Sequence, residues 1–349
     1  MRGRVLGLNH NKNAHRGAIR PVLRLDVLIP TLNRAALLEG ALKSLLTAPI
    51  PPGLHVFVTV VNNGCTDATA ELVEALSEQY PERLRMVCEL RRGKSRALNA
   101  GIAATDAELV GMIDDDEEIG PRWYEEVYRA FSDTTLDFIG GPYVARWAAA
   151  PPSWIPKEYL AVLGSAENGQ EPQDYGDDFP GILKGGNAVI RRSMLKKVGT
   201  YAEHLGPGGH ARLFSCEDEE MYNRLLKAGA RGRYLPSLFI YHHVSAARLT
   251  PEYYRRWCLW RGVSRGLIDR SYQLKVPYLA GVPRFLYGRA ARGVGRLTAR
   301  KVRGGCWEQT FTDELSVWDL VGFVLGRHIY PLARFSPVRS RRKLPRSPS

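Results

Sequence analysis

Leu109-Val-Gly-Met-Ile-Asp-Asp-Asp116 is the strongest local pattern in the chain. Its apolar first part predicts a buried strand, and three carboxylates follow that strand directly. Ligands of parallel α/β sheets bind beyond the carboxyl ends of the strands. On extended backbone Asp114 and Asp116 would point the same way, and three adjacent like charges favour a nearby divalent cation. An ordinary acidic turn after a strand also explains the triplet.

The residues around this stretch alternate short apolar runs with amphipathic segments from residue 22 to about 147. Such alternation is typical of βαβ units and a mostly parallel sheet. The predicted strands are 23–29, 55–61, 84–88, 109–113 and 138–145, and the predicted helices are 34–46, 67–80, 94–104 and 121–131. We therefore expect an α/β fold with a Rossmann-like sheet flanked by helices.

Polar residues also follow two other predicted strands. Asn62 and Asn63 end the second strand, where their amides could hydrogen-bond a base or ribose, or simply form an Asn-Gly turn. The basic, glycine-containing segment 91–101 opens a helix, which is a position that favours a phosphate group. An ordinary solvated helix start explains that segment as well.

The second half of the chain starts with a long irregular segment. Residues 151–186 are rich in Pro, Gly, Asp and Asn without a sustained period, which predicts a functional loop or lid. Helical periodicity returns at 193–198 and 217–228, and strand character at 232–235 and 239–242.

Residues 249–335 form a predicted helical, Arg-rich extension. Apolar residues recur there at helical spacing: Tyr253, Trp257, Trp260, Val263 and Leu267. This stripe suits an amphipathic helix on a membrane surface, and it suits equally a helix packed on the rest of the protein. A second apolar candidate covers 318–332.

The formal net charge of +13 is concentrated in the same part of the chain. Residues 251–349 hold 20 Lys and Arg against 6 Asp and Glu, whereas the remainder holds 29 against 30. This distribution predicts an anionic partner surface, either membrane lipid or nucleic acid. Residues 1–20 are expected to be a disordered basic leader without a signal-peptide core, and 336–349 a disordered basic tail.

Length and cysteine content narrow the class of protein further. A chain of 349 residues fits one large domain with an appendage, and no apolar run approaches the roughly 20 residues of a membrane-spanning helix. The five cysteines include no CxxC pair, which suits neither a zinc site nor a complete disulfide framework. We expect a protein of the reducing cytoplasm.

In chain order, the strand-end motifs resemble those of the family-2 glycosyltransferases with a GT-A fold. They are Val27-Leu-Ile-Pro-Thr-Leu-Asn33, Val61-Asn-Asn-Gly-Cys-Thr-Asp67, Gly93-Lys-Ser-Arg-Ala-Leu-Asn-Ala-Gly101 and Ile113-Asp-Asp-Asp116 with Pro121. Gly185-Gly-Asn-Ala-Val-Ile-Arg191 and the segment from Glu217 to Gly229 continue the similarity. The resemblance implies a GT-A catalytic domain over 21–248, with a nucleotide-sugar half at 21–147 and an acceptor and catalytic-base half at 148–248.

The resemblance also implies roles for single residues. Asp218, with Glu217 beside it, is the expected catalytic base, since inversion needs a carboxylate within reach of the acceptor hydroxyl. Asp116 is expected to bind Mn²⁺ or Mg²⁺ that stabilises the departing diphosphate, and His243 to touch the metal as well. The expected donor contacts are Pro30, Thr31, Asn33, Asn62, Asn63, Lys94, Arg96, Asn99, Asp114, Asp115, Gly186 and Asn187.

The implied activity is metal-dependent, inverting transfer of a sugar from a nucleotide-sugar donor to a glycan or lipid-linked acceptor. We expect this reaction at the inner face of the cell membrane, in the synthesis of a polysaccharide or another cell-envelope glycan. Relatives commonly carry aspartate where Asn62 or Asn63 stands, so the resemblance leaves the nucleotide open: UDP is the default, and GDP and dTDP are the alternatives. The aromatic residues Trp147, Trp154, Tyr159 and Tyr175 could line the acceptor site or pack the loop.

Two other classes of protein compete with this hypothesis. The Arg-rich part could bind nucleic acid, although the acidic strand ends would repel it. A transferase-like domain could also bind a nucleotide sugar or glycan without catalysis.

Overall fold

The computed structural model of the chain describes residues 22–155, 159–160, 163–164, 167–207 and 215–330. The predicted leader at 1–20 and the predicted tail at 336–349 lie outside these residues. Within the described ranges, no helix is both long and apolar enough to cross a membrane. The five cysteines are free thiols.

Up to Val244 the described residues form strands interspersed with helices, and three long helices follow. The strands are β1 (Leu23–Thr31), β2 (Leu54–Asn62), β3 (Leu84–Cys88), β4 (Leu109–Met112), β5 (Glu117–Ile119), β6 (Phe138–Gly140), β7 (Tyr143–Trp147), β8 (Gln173–Asp174), β9 (Ala188–Arg191), β10 (Gly232–Tyr234), β11 (Ile240–Val244), β12 (Tyr278–Leu279) and β13 (Val282–Pro283). The helices are α1 (Ala35–Thr47), α2 (Thr69–Gln79), α3 (Lys94–Ala104), α4 (Trp123–Phe131), α5 (Arg192–Val198), α6 (Glu217–Lys227), α7 (Pro251–Ile268), α8 (Arg284–Arg303) and α9 (Phe311–Val324).

An eight-stranded, mostly parallel sheet in the order β3-β2-β1-β4-β9-β6-β10-β8 forms the centre of the fold. Strand β1 pairs in parallel with both β2 and β4, and its apolar side chains are buried on both faces. Val27 packs on one face with Leu42 of α1, whereas Leu28 packs on the other with Leu98 of α3. Helices on both faces explain why this strand is a continuous apolar run, and they confirm the predicted α/β fold.

The prediction of a single strand at 138–145 is wrong, because these residues belong to two strands. Strand β6 belongs to the large sheet, whereas β7 joins a three-stranded sheet in the order β5-β11-β7. Gly141 and Pro142 lie between them, and a Cβ on Gly141 would come within 1.8 Å of the Leu238 carbonyl oxygen. The chain therefore changes sheet at a residue where only glycine fits. The other predicted strands and helices before residue 245 end within two residues of the observed ones.

The C-terminal extension is a layer of three helices. Helix α7 packs along α9 with very close backbones: a Cβ on Gly266 would lie 2.4 Å from the Phe323 carbonyl oxygen. Val263 and Leu267 of the predicted stripe are buried, and Tyr253, Trp257 and Trp260 are half-buried against apolar clusters. Of the two predictions for this stripe, the structure therefore favours packing within the protein over a membrane surface.

Candidate active site

The carboxyl ends of β1, β2 and β4 meet at one edge of the large sheet because these neighbouring strands run parallel. The predicted strand-end residues therefore gather there, as such sheets require of their ligand sites. A cavity of about 300 Å³ opens at this edge. It is lined by Pro30, Thr31, Leu32, Arg34, Asn63, Lys94, Asp114, Asp115, Asp116, Pro207, His242 and Arg248.

The aspartate triplet lies in a turn, because β4 ends at Met112. This differs from the expectation of extended backbone, in which Asp114 and Asp116 would point the same way. Asp114 forms an ion pair with Lys94 at 2.6 Å, whereas Asp116 is bonded to Arg248 at 3.0 Å. The turn thus sends the two carboxylates to different partners.

Asp115 is buried and joins the third motif to the first. One of its oxygens accepts a hydrogen bond from Thr31 Oγ1 at 2.9 Å, and the other accepts one from Arg34 Nη1 at 2.9 Å. Burial raises the pKa of Asp115 to about 6, although the charge of Arg34 opposes that rise. Both oxygens are already bonded within the protein, which indicates a role in holding Thr31 and Arg34.

Asp116 is the most densely contacted member of the triplet. Its Oδ2 accepts hydrogen bonds from Arg34 Nη1 at 3.1 Å and Arg248 Nη2 at 3.0 Å, and His242 Nε2 lies 3.7 Å away. Burial alone would raise the pKa of this carboxyl, but His242 and Arg248 outweigh burial and hold the pKa well below its usual range. Asp116 is therefore ionised at neutral pH.

The structure brings the side chain of His242, and not that of His243, to the Asp116 carboxylate. The two histidines are adjacent on β11, where successive side chains point to opposite faces. His243 Nε2 is bonded to Glu118 Oε1 at 2.7 Å, on the side away from the cavity. The sequence alone offered two adjacent histidines, and only the strand register decides between them.

Asp116, Glu117 and His242 together could hold a metal ion. One ligand atom from each lies within 4.8 Å of the others, and the three side chains are buried. Burial and the charges of Asp114 and Asp116 raise the pKa of Glu117 well above its usual range, which a bound cation would reverse. Two carboxylates and an imidazole are a ligand set that fits a divalent cation.

Lys94 connects the strand edge to α6. Its ammonium group contacts both oxygens of Asp114 and lies 3.9 Å from Glu217 Oε1. Burial opposes the charged form, but Asp114, Asp218 and Glu217 together raise the pKa of Lys94 well above its usual value. Lys94 is therefore a buried cation at the centre of the predicted base and donor residues.

Asp218 lies in the first turn of α6, packed against the segment Lys184–Gly185. A Cβ on Gly185 would come within 2.1 Å of Asp218 Oδ1, and that oxygen has no hydrogen-bond partner among the described residues. Burial raises the pKa of Asp218, although Lys94 opposes this shift. Burial and the neighbouring Asp218 charge also raise the pKa of Glu217 to about 8. The helix N-terminus stabilises negative charge here, so the acidic pair also suits its position structurally.

Several predicted donor contacts bond to the protein itself. The Asn63 amide bridges the backbone of Glu89, Arg91 and Gly93. Asn99 bonds the backbone of Tyr201 on both sides of its amide.

Asn187 is fully buried, and its amide oxygen accepts a hydrogen bond from Trp123 Nε1 at 2.9 Å. Its amide nitrogen donates to the Leu238 and Pro142 carbonyls. The Asn62 side chain bonds the backbone of Cys65. These amides fix the loops that shape the cavity.

Two further predicted contacts lie at the rim. Arg96 forms an exposed ion pair with Glu203 at 3.2 Å. The Asn33 side chain accepts a hydrogen bond from the Thr66 backbone at 2.7 Å, and Asn33 itself has a φ of +55°. Asparagine tolerates this left-handed conformation better than most residues, which gives the motif residue a backbone role.

A protein-family model matches half of the chain, including the strands that form this edge of the sheet. The glycosyl transferase family 2 model matches residues 26–199, which include β1, β2, β4 and the aspartate triplet. The chain belongs to glycosyltransferase family 2. In this glycosyltransferase, the matched region supplies the sheet edge, whereas α6 and β11, with Asp218 and His242, follow it in the chain.

Relatives of the glycosyltransferase are about a quarter identical to it over the regions that align. The pre-mycofactocin glycosyltransferase of Mycobacterium tuberculosis is 25% identical over 345 residues, which cover 91% of this chain and 67% of that protein. The glucosyl-dolichyl phosphate glucuronosyltransferase of Haloferax volcanii is 24% identical over 184 residues, which cover 52% of this chain and 57% of that protein. Some other curated relatives are matched over about a third of their length.

A solved structure shares the fold. The mannosyltransferase PcManGT from Pyrobaculum calidifontis, in complex with GDP-Man and Mn²⁺, superposes with a TM-score of 0.57 at 20% identity over 87% of each chain. This likeness confirms the GT-A fold of the glycosyltransferase.

Sequence reasoning missed four residues of the cavity region. Glu117 and His242 complete the cation cluster, and Arg34 and Arg248 contact Asp116. Glu117 directly follows the triplet, so its position was a usable signal. Arg248 offered none, because it lies 132 residues from its partner and no local pattern joins the two.

Proposed function

We propose that this protein is a metal-dependent, inverting glycosyltransferase that transfers a sugar from a nucleotide-sugar donor. One observation carries the proposal. Consecutive glycines of one short segment touch the expected base and the cation cluster: a Cβ on Gly185 would meet Asp218, and one on Gly186 would lie 2.3 Å from Glu117. A base on one side and a cation on the other is the arrangement that inversion requires.

The residues present fit a divalent cation, and we propose Mn²⁺ or Mg²⁺. Asp116, Glu117 and His242 would hold it, and the cation would stabilise the negative charge that develops on the leaving diphosphate. The solved mannosyltransferase complex contains Mn²⁺, which supports this choice. Lys94 adds a second, permanent positive charge at the same edge.

Asp218 is the proposed catalytic base. Its Oδ1 has no hydrogen-bond partner among the described residues and lies buried against Gly185, so the proposal requires the Gly185 segment to move before an acceptor hydroxyl can give this oxygen its proton. Lys94 and Lys184 favour its ionised form, against the effect of burial. Burial and the Asp218 charge raise the pKa of Glu217, which favours its neutral form and leaves the base function to its neighbour.

We propose that the acceptor is a glycan or a lipid-linked sugar of the cell envelope, and that the enzyme works at the cytoplasmic face of the membrane. Two of the four aromatic residues considered for the acceptor wall, Trp154 and Tyr175, pack against other aromatic side chains. Trp147 and Tyr159 also pack in the cluster around Tyr254. The acceptor wall is therefore proposed to come from the rest of the loop that precedes Gly186.

The catalytic domain is proposed to end near residue 248, and the helical extension to contact anionic lipid. Helix α8 carries seven Arg and Lys residues and no acidic residue between Arg284 and Arg303. Arg284, Arg292 and Lys301 are exposed and form no ion pair within the described part of the chain. Free cations on one helix suit a lipid surface.

A donor screen tests the proposed function. Purified protein with Mn²⁺ is titrated with UDP-, GDP- and dTDP-sugars, and the wild type is expected to bind at least one of them. Asp116→Ala should abolish the metal-dependent part of that binding, because it removes a cluster carboxylate. Arg24→Ala, at the opposite end of β1, is the control and should bind normally. Absence of binding across the whole panel would refute the proposal.

A further inference from the structure

Two arginines share one oxygen of Asp116. Arg34 Nη1 and Arg248 Nη2 donate to the same Oδ2, at 3.1 Å and 3.0 Å. They come from distant elements, since Arg34 precedes α1 and Arg248 ends a short 3-10 helix after β11. The Arg34 side chain is 42% exposed and the Arg248 side chain 23% exposed, and both line the cavity.

The shared oxygen also faces the proposed cation ligands. His242 Nε2 lies 3.7 Å from the same Oδ2, and Asp116 is a member of the cluster that could hold a metal ion. A divalent cation and two guanidinium groups would therefore compete for one oxygen atom. A cation that binds alone has to displace both guanidinium groups or tolerate their repulsion at close range.

A diphosphate offers these arginines a different anion. Both line the same cavity as Lys94 and the triplet, where the proposed donor binds. Guanidinium groups pair with phosphate oxygens through two parallel hydrogen bonds, an arrangement that a single carboxylate oxygen shared by two arginines does not provide. The diphosphate can therefore draw both arginines away from Asp116 and leave its oxygen to the cation.

We propose that Arg34 and Arg248 couple cation binding to diphosphate binding, so that each ligand strengthens the binding of the other. This inference rests on the proposed function and deepens it, because it concerns how the same site is loaded. Among the described residues, these arginines are the side chains that form ion pairs with Asp116 besides His242. The part of the coupling that acts through Asp116 is therefore assigned to these two groups.

The proposed coupling changes the affinities for Mn²⁺ and nucleotide in a direction that can be measured. In the wild type, UDP or GDP should raise the affinity for Mn²⁺, by a factor in the usual range of about 5–150 for coupled sites, and Mn²⁺ should raise nucleotide affinity by the same factor. In Arg34→Ala and Arg248→Ala, Mn²⁺ alone should bind several-fold more tightly, because a competitor is gone. Nucleotide should bind more weakly, and the coupling factor should fall below the wild-type value, leaving only the part that comes from direct attraction between the cation and the diphosphate.

Calorimetric titration of the full chain tests this inference. Mn²⁺ is titrated with and without saturating UDP, GDP or dTDP into wild type, Arg34→Ala, Arg248→Ala and the double variant. Arg24→Ala removes an equally charged ion pair with Asp106 and should leave the coupling unchanged. Arg248→Lys keeps the positive charge, so Mn²⁺ alone should still bind it weakly. Thermal unfolding shows whether each variant is folded.

The outcomes separate this inference from the proposed function. If wild type binds both Mn²⁺ and a nucleotide but the arginine variants keep the wild-type coupling factor, the inference is wrong and the proposed function stands. Weaker binding of Mn²⁺ alone to folded Arg34→Ala and Arg248→Ala would also overturn it. If wild type binds neither ligand, the proposed function fails, and the coupling fails with it.

Discussion

At the scale of single residues, burial of Asp218 determines how the proposed base responds to pH. Burial raises its pKa, and Lys94 only partly opposes this effect. The base acts in its ionised form, so activity should fall as the pH drops through the raised pKa. The acidic limb of kcat/KM for donor hydrolysis should therefore lie above pH ~4, the ordinary range of a carboxyl group. A rate that stays constant down to pH 4 would contradict this.

Lys184 also affects the pKa of Asp218. Its ammonium group lies 5.1 Å from the Tyr143 ring centre, forms no ion pair among the described residues, and has a pKa lowered to about 8 by burial. Its charge lowers the pKa of Asp218, so Lys184→Met should move the acidic limb of the pH–rate profile upward. Lys184→Arg keeps the charge and should leave the limb near its wild-type position. Equal profiles for Lys184→Met and wild type would remove Lys184 from the site.

Site residues could be predicted where they belong to an ordered series of motifs, and less well where their role depends on the direction of the side chain. The triplet and the Glu217–Asp218 pair were found from sequence and lie at the sheet edge and the start of α6. The choice between His242 and His243 depended on strand register, which the sequence does not contain. Asn187 was expected to contact the donor because it is a polar residue of a family motif, but its side chain is fully buried in the protein.

At the scale of elements, the contact between α7 and α9 depends on glycine. A Cβ on Gly322 would lie 2.0 Å from the Leu259 carbonyl oxygen. Gly322→Ala should therefore lower the free energy of unfolding by at least roughly 1–3 kcal/mol, because the two backbones must separate. Chemical denaturation measures this change.

Gly295 provides the matched control in α8. A Cβ there meets no atom within 4 Å, so Gly295→Ala should raise the free energy of unfolding by about 0.5–1 kcal/mol through the entropy of the unfolded chain. Equal stability of Gly322→Ala and wild type would mean that α7 and α9 do not pack as described.

Elements could be predicted well where hydrophobic periodicity was strong. The strands around the triplet and the helices between them were correct to within two residues, because each buries a regular apolar pattern. The pattern at 138–145 was also continuous, yet it was divided between two sheets. The apolar run does not record the close approach of Gly141 to Leu238, which is a tertiary contact.

At the scale of the whole molecule, the uneven charge predicts selective binding to anionic surfaces. The protein should sediment with vesicles that contain phosphatidylglycerol, not with neutral phosphatidylcholine vesicles, and added salt should release it. Arg284→Glu, Arg292→Glu and Lys301→Glu together should weaken this binding strongly. The control makes the same charge change on the catalytic body, at Lys43, Lys196 and Arg231, and should bind nearly as wild type. Equal loss in both variants would point to net charge and not to α8.

The order of sites along the sheet edge was predictable at this scale, but the charge pairing across it was not. Lys94, Arg34 and Arg248 neutralise the triplet from three separate segments. Their convergence arises from the fold and not from any local pattern.

Asp218 is proposed to act as the base of a donor site organised by Asp116. Nucleotide release from the donor sugar that binds best is measured with Mn²⁺ for wild type and Asp218→Asn, beside their donor affinities. We expect Asp218→Asn to bind the donor as tightly as wild type but to release nucleotide at least about 100-fold more slowly, as follows from loss of a general base. Unchanged release by a folded Asp218→Asn protein would contradict it.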